Sequence, residues 1–295
     1  AGRPVRLETR KTTALLAFLS VNQRPHSRES LAALLWPEYD SVRAPANLRR
    51  VLASLQQALG EGWLTVTRDT LAFEPKEQVS VDSVEFMARM RELRDSCSGF
   101  PTDVSGVEKL RKALALYRGD FLEGFNLKDC PQFDQWQMIL REEVLRFADW
   151  ALEGLVEYDT AAGRWNEALE GSRRRLSLDN LNEAAHRSLM FLLARTGKRN
   201  AALRQYENCS RLLKEELGQD PEEETSALAE DIRKRRIGVP EEEKAEDDKA
   251  RPSADQSLLE AAFLIRSALP RVREKLVDRS RLFTLLDQGL RRAVT

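Results

Sequence analysis

The first quarter of the chain places three short amphipathic helix patterns in close succession, followed by two short strand patterns. In order along the chain, these five patterns cover Thr9–Leu19, Ser27–Leu35, about Arg43–Leu59, Leu64–Val66 and Leu71–Phe73. The two strand patterns are separated by a polar turn and are therefore expected to pair as a hairpin. Such a succession is what a winged helix-turn-helix needs in order to place one helix in a DNA groove.

Length and composition narrow the class of protein. A chain of 295 residues suits two domains of ordinary size plus further segments, and 42% hydrophobic residues can build their cores. Charged residues are frequent but balance to a net charge of -1, so nucleic-acid binding must come from a local patch. No apolar run has the length of a membrane span and no signal peptide is visible, which predicts a cytoplasmic protein without a membrane partner.

The sequence contains no recognisable catalytic or metal-binding motif. Cys97, Cys130 and Cys209 are widely separated and lack a CxxC pair, which predicts free buried thiols. His26 and His186 are far apart and have no carboxylate or cysteine at ligand spacing, so neither a metal site nor a catalytic dyad is expected. GxGxxG, GxxxxGK[ST], HExxH and GxSxG motifs are absent from the sequence. The chain is therefore predicted not to be an enzyme and to hold no cofactor.

A repeat organises the middle of the chain. The segment Gly163–Leu169 recurs as Gly197–Leu203, and the difference between 197 and 163 is 34 residues. This period is typical of tetratricopeptide-type helical hairpins, in which alanine and leucine at fixed offsets let neighbouring helices pack closely. The predicted fold class is thus mainly α, a winged helix-turn-helix followed by a tetratricopeptide-like helical bundle. The predicted segments are 1–80 for the winged helix, 81–237 for the bundle, 238–257 for a charged linker and 258–295 for a helical tail.

The third predicted helix carries the candidate DNA-reading residues. At 100° per residue its inward face is apolar and comprises Ala44, Leu48, Val51, Leu52, Leu55 and Leu59. The opposite face and its flanks comprise Arg43, Ala46, Asn47, Arg49, Arg50, Ala53, Ser54 and Gln57. Small residues there let the helix lie close in a major groove while long polar side chains reach base edges and phosphates. The predicted DNA contacts are Arg43, Asn47, Arg49, Arg50 and Ser54. The alternative is an ordinary solvated helix face.

Two further sites, the start of the second predicted helix and the tip of the hairpin, support a DNA contact. Ser27 is a predicted N-cap, and the start of its helix offers backbone N–H groups together with Arg28 to a phosphate. Arg68 lies at the tip of the predicted hairpin, where it can enter a minor groove or contact the backbone. Each arginine can equally be an ordinary surface residue.

These residues resemble those of a known family. The run Thr9–Leu19, the run His26–Pro37 and Ala46–Arg49 are similar to the winged-helix domain of the SARP-like bacterial regulators. Residues Ala115–Leu122, Glu183–His186 and Leu212–Gly218 are similar to its second module, the bacterial transcriptional activator domain. The resemblance implies a regulator that binds double-stranded DNA, with a helical domain for self-association or signalling. It also implies RNA polymerase as a candidate partner, and it supports the DNA-reading role of the third helix.

The sequence also departs from that family. Pro45 falls in the first turn of the third helix, where these proteins usually continue a polar helix start. Val5–Leu7 is the one strand pattern before the first helix, whereas such winged helices carry further strands there. A segment preceding Ala1 is therefore expected.

Two other functions stay open at this stage. One is a tetratricopeptide-type adaptor whose winged-helix head binds protein. The other is the regulatory arm of a larger ATPase, because residues 269–295 resemble the lead-in to signal-transduction ATPases of the MalT type. That resemblance predicts a phosphate-binding loop shortly after Thr295, so ATP would be bound by a downstream domain and not by this chain.

Overall fold

The computed structural model describes residues 5–76, 79–97 and 99–237, and these residues are mainly helical. The ten helices and three strands of the described residues are α1 (Arg10–Asn22), β1 (His26–Ser27), α2 (Arg28–Leu35), α3 (Arg43–Leu59), β2 (Leu64–Val66), β3 (Thr70–Phe73), α4 (Asp82–Ser96), α5 (Val104–Leu114), α6 (Pro131–Ala161), α7 (Trp165–Leu178), α8 (Glu183–Arg195), α9 (Arg199–Leu217) and α10 (Glu223–Arg233). This confirms the predicted fold class. In the part of the chain described, no helix is long and apolar enough to cross a membrane.

The described residues form two compact units, 5–151 and 152–237, which divide inside α6. The predicted domain boundary near residue 80 stays a prediction. The predicted linker at 238–257 and the predicted tail at 258–295 lie outside the described residues.

α1 is the central helix of the first unit. Its Leu15, Leu16 and Leu19 are fully buried, as are both of its neighbouring alanines at 14 and 17. A helix that is apolar over most of its surface must be covered on several sides. α1 accordingly packs against α2, α3 and β3.

The same core extends well beyond the winged helix. Phe121, Leu122, Leu127 and Phe133 belong to one buried cluster with the side chains of α1, α2 and α3. Residues between α5 and α6 therefore share a hydrophobic core with the first three helices. Periodicity along the chain cannot predict such sharing, because the contacts join residues more than a hundred positions apart.

The small sheet has the antiparallel strand order β1-β3-β2. β2 and β3 form the predicted hairpin, with Leu64 opposite Phe73 and Val66 opposite Leu71. The strand predicted over Val5–Leu7 is wrong, because this segment packs against the core through Val5 and Leu7 without pairing. The third strand is instead β1, in which His26 lies opposite Leu71.

The second unit contains the helical hairpins that the 34-residue repeat predicts. Gly163 and Gly197 each adopt positive φ, at 69° and 77°, and each lies two residues before a hairpin's first helix. Glycine occupies this conformation without the steric cost that a side chain adds. α7 packs on α8, α8 on α9 and α9 on α10, around buried residues that include Ala168, Met190 and Ile232.

Candidate nucleic-acid interface

α3 presents a buried apolar face and an exposed polar face, as the sequence predicts. All six residues expected to face inward are buried, namely Ala44, Leu48, Val51, Leu52, Leu55 and Leu59. Arg43, Arg49 and Arg50 are exposed, whereas Asn47 and Ser54 are partly exposed. Because α3 packs on α1 and α2 through its leucines, its basic face is exposed to solvent.

Four of the predicted contact residues lie in one row along α3. Arg43, Asn47, Arg50 and Ser54 follow the spacing i, i+4, i+7 and i+11, which places them on the same side of a helix. We call these four residues the α3 row. At 1.5 Å of rise per residue the row is about 16 Å long. Arg49 lies to one side of the row and points elsewhere around the helix.

Asp40 fixes the start of α3. Its Oδ1 accepts hydrogen bonds from the backbone N–H groups of Val42 at 3.0 Å and of Arg43 at 2.7 Å. Its Oδ2 lies 3.8 Å from Nε of Arg43, and both side chains are more than half exposed. An acidic side chain at this place satisfies free N–H groups and complements the helix dipole. The sequence analysis missed Asp40, although an aspartate just before the first turn of a helix is a recognisable capping signal.

Glu8 contacts the other end of the α3 row. The hydroxyl of Ser54 donates to Oε2 of Glu8 at 3.2 Å, across 46 residues of sequence. Thr9, the next residue, caps α1 by accepting from the backbone N–H of Thr12 at 3.1 Å. The preceding Leu7 packs against the core, so Glu8 is anchored on both sides. No local sequence signal could have indicated this contact.

The hairpin Leu64–Phe73, here called the wing, is joined to the start of α2. Arg28 donates from its backbone N–H to the carbonyl of Asp69 at 2.8 Å and from its guanidinium to the carbonyl of Thr67 at 3.2 Å. Arg28 therefore helps to hold the wing against the start of α2. Arg68 is exposed at the tip between these two carbonyls. The structure thus brings Arg28 and Arg68 together, and it places Ser27 at the cap of α2 as predicted.

His26 lies beneath this surface. Its ring packs edge-on against Phe18 at 4.9 Å between centroids, and its Nε2 is buried with no hydrogen-bond partner among the described residues. Burial lowers the pKa of His26 below its ordinary value of 6.5, and the nearby positive charge of Arg24 lowers it further. The fold therefore favours the neutral form of this imidazole.

Elsewhere in the described residues, no group of three or more His, Cys, Asp or Glu side chains is placed to hold a metal ion. Cys130 and Cys209 are buried and Cys97 is partly exposed, and all three are free thiols.

The part of the chain that follows the wing matches a known family. The family described as "BTAD: Bacterial transcriptional activator domain" matches residues 81–233, which is more than half of the 295 residues. The chain belongs to this family. Its members are transcriptional regulators and typically have no enzymatic activity.

Two further comparisons cover more of the chain than this domain does. The "Regulatory protein AfsR" of Streptomyces coelicolor is 27% identical over 215 residues, which cover 70% of this chain and 20% of that protein. The chain thus spans a fifth of the length of this relative. A solved structure of Mycobacterium tuberculosis EmbR, in complex with a low affinity phosphopeptide, is 20% identical and aligns with a TM-score of 0.57. That alignment covers 90% of this chain and 68% of the EmbR chain. The family match and the similarity to AfsR support a SARP-like transcriptional regulator, and the alignment with EmbR shows a similar fold.

Proposed function

We propose that this regulator binds double-stranded DNA sequence-specifically, with α3 in the major groove and the wing against the neighbouring backbone. The observation that carries the proposal is the exposed basic face of α3 opposite a fully packed leucine face. Arginine pairs with guanine and asparagine with adenine in the major groove, so Arg43, Asn47 and Arg50 are the proposed base readers.

The remaining predicted contacts have positioning roles in this proposal. Arg49 lies to the side of the row and Arg68 at the tip of the wing, and both are exposed. Contacts from such places typically go to phosphates and fix the register of the protein on the duplex. Ser27 and Arg28, at the start of α2, are the remaining predicted phosphate contacts, and Arg28 also donates to the wing carbonyls of Thr67 and Asp69.

Selection of bound duplexes from a random pool tests the proposal. The 295-residue chain is expected to enrich a defined motif, and its affinity is expected to fall steeply as salt rises. A protein-binding adaptor would enrich no motif and would show no steep salt slope. Arg204→Ala on α9 is a matched control, because it removes the same charge far along the chain from α3.

We further propose that the bacterial transcriptional activator domain mediates self-association. Met138 and Ile139, adjacent residues of α6, each leave 54% of their surface exposed. Adjacent exposed apolar side chains are where we expect such a contact to form, because burying them against a second chain removes apolar surface from water. Sedimentation of the full chain is expected to show a dimer or higher oligomer that Met138→Glu weakens. A strictly monomeric species at high protein concentration would contradict self-association.

Family membership also supports RNA polymerase as a further partner of the DNA-bound protein. Co-sedimentation of the polymerase with the full chain on a selected duplex tests this, and equal recovery with and without the chain would contradict it.

A further inference from the structure

We propose that two carboxylates, those of Glu8 and Asp40, confine DNA contact on α3 to Arg43, Asn47 and Arg50, and that Ser54 makes no DNA contact. This inference rests on the proposed DNA binding by α3. It assigns to the two acidic residues the role of limiting which part of the helix reaches the duplex.

The geometry of the α3 row carries the inference. Its four residues lie on one side of the helix, and each end of the row contacts a carboxylate. Asp40 lies beside Arg43 at the first turn, and Glu8 accepts a hydrogen bond from the hydroxyl of Ser54 three turns later. Within the row, Asn47 and Arg50 contact no carboxylate of the described residues, and Arg43 keeps its own positive charge beside Asp40.

The negative charges of the two carboxylates oppose the approach of DNA. Duplex DNA carries one negative charge for about every 1.7 Å of its axis, so a carboxylate near its surface is repelled. A serine hydroxyl that donates its hydrogen bond to such a carboxylate cannot donate the same hydrogen to a phosphate. Glu8 has only the neutral hydroxyl of Ser54 as its partner, so the end of α3 near Ser54 is held away from the DNA. Arg43 offsets the charge of Asp40, so the first two turns of α3 approach the bases.

The length of the remaining segment sets the size of the site. Arg43 and Arg50 are seven residues apart, which corresponds to about 10 Å along the helix. This distance spans about three base pairs at 3.4 Å per step. With Ser54 included, the row would span about five. The number of base pairs specified by α3 therefore differs between the two cases.

Both carboxylates are held by the fold, which makes them fixed elements of the surface. Glu8 lies between a packed Leu7 and the α1 cap Thr9, and Asp40 is held by two backbone N–H groups.

Glu8→Gln tests the charge of Glu8 alone, because the amide oxygen of glutamine can still accept a hydrogen bond from the hydroxyl of Ser54. On the full chain, this variant is expected to bind both the selected duplex and a scrambled duplex about two- to fivefold more tightly at low salt. The gain should shrink as added salt screens the charge. Glu170→Gln, on the exposed surface of α7, is the control and should change neither affinity.

Asp40→Asn and Ser54→Ala complete the test. Asparagine is as good a helix cap as aspartate, so Asp40→Asn should keep the helical circular dichroism and also strengthen binding to both duplexes. Ser54→Ala should leave the affinity for the selected duplex within about twofold, since a residue without a DNA contact carries no base readout.

Three results would overturn the inference. The first is weaker binding of Glu8→Gln to the selected duplex alone, which would mean that Glu8 accepts a hydrogen bond from a cytosine. The second is unchanged binding of both carboxylate variants, and the third is a tenfold or larger loss for Ser54→Ala. If Arg50→Ala weakens binding while these results occur, only this inference fails. If the chain shows no salt-dependent binding at all, the proposed function fails with it.

Discussion

The ammonium nitrogen of Lys11 lies 2.7 Å from the sulfur of Cys130, although the two residues are 119 positions apart. Lys11 also donates to the backbone carbonyl of Leu35 at the end of α2. One side chain of α1 therefore joins the last turn of α2 to the residue that precedes α6. A cation is favoured at this place because the end of a helix carries a partial negative charge.

Lys11→Met should destabilise the first unit. The substitution keeps the aliphatic stem but removes the charged donor from the carbonyl of Leu35, which retains the thiol of Cys130 as a donor. A hydrogen bond from a charged group contributes about 1.5–3 kcal/mol, and its loss is the expected cost. Thermal unfolding followed by circular dichroism should show a lower Tm for this variant. Lys109→Met, an exposed residue of α5, serves as the control. Equal Tm values for the two variants would mean that the Lys11 contacts add nothing to stability.

The stability of the protein should fall on acidification in a manner that depends on His26. Because burial and Arg24 lower the pKa of His26 in the folded state, the unfolded chain binds this proton first, near the ordinary value of 6.5. Stability from this residue is therefore complete above that pH and decreases as pH falls toward the lower pKa of the folded state.

His26→Phe should remove this acid sensitivity, because phenylalanine keeps a ring against Phe18 and carries no titrating group. Unfolding temperatures measured from pH 7 to pH 5 are expected to decline less for the variant than for the original chain. Parallel curves for the two proteins would show that His26 does not contribute to the acid sensitivity.

Gly171→Ala should destabilise the second unit, although alanine favours helices. A Cβ at this position would lie 2.7 Å from Cγ2 of Val156, a branched side chain with little freedom to move. Overpacking of this kind costs about 1–3 kcal/mol, against a gain of up to about 1 kcal/mol in helix propensity. Denaturant unfolding of the variant measures the net change, and Glu170→Ala provides the comparison at an exposed neighbour. An increase in stability would contradict the close contact between α6 and α7.

Local patterns predicted much of this fold, because the signals involved act over a few residues. The bounds of α3, the cap at Ser27 and the paired strands of the wing follow from apolar periodicity, capping and turn chemistry. The contact of Glu8 with Ser54 and the short strand at His26 depend on residues that are distant in the sequence. Single-sequence patterns carry no information on such pairs, so the part of the surface that they shape could not be predicted.

The sharing of one core between α1 and Phe133 was equally inaccessible to sequence analysis. Phe18 of α1 packs on Trp136 of α6 with ring centroids 4.9 Å apart, and Phe133 lies beside the same indole. Aromatic residues in a helix predict burial, but their partners are fixed only by the tertiary structure.

The most direct test of the proposed function is the affinity of Arg50→Ala for the selected duplex and for a scrambled duplex of equal length. If Arg50 reads a base, the selected duplex should lose about 1–3 kcal/mol of binding free energy and the scrambled duplex much less. Fluorescence anisotropy at one fixed salt concentration measures both, with Arg204→Ala as the control for charge. Equal losses on the two duplexes would mean that Arg50 contacts only phosphate, and no loss on either would contradict DNA recognition by α3.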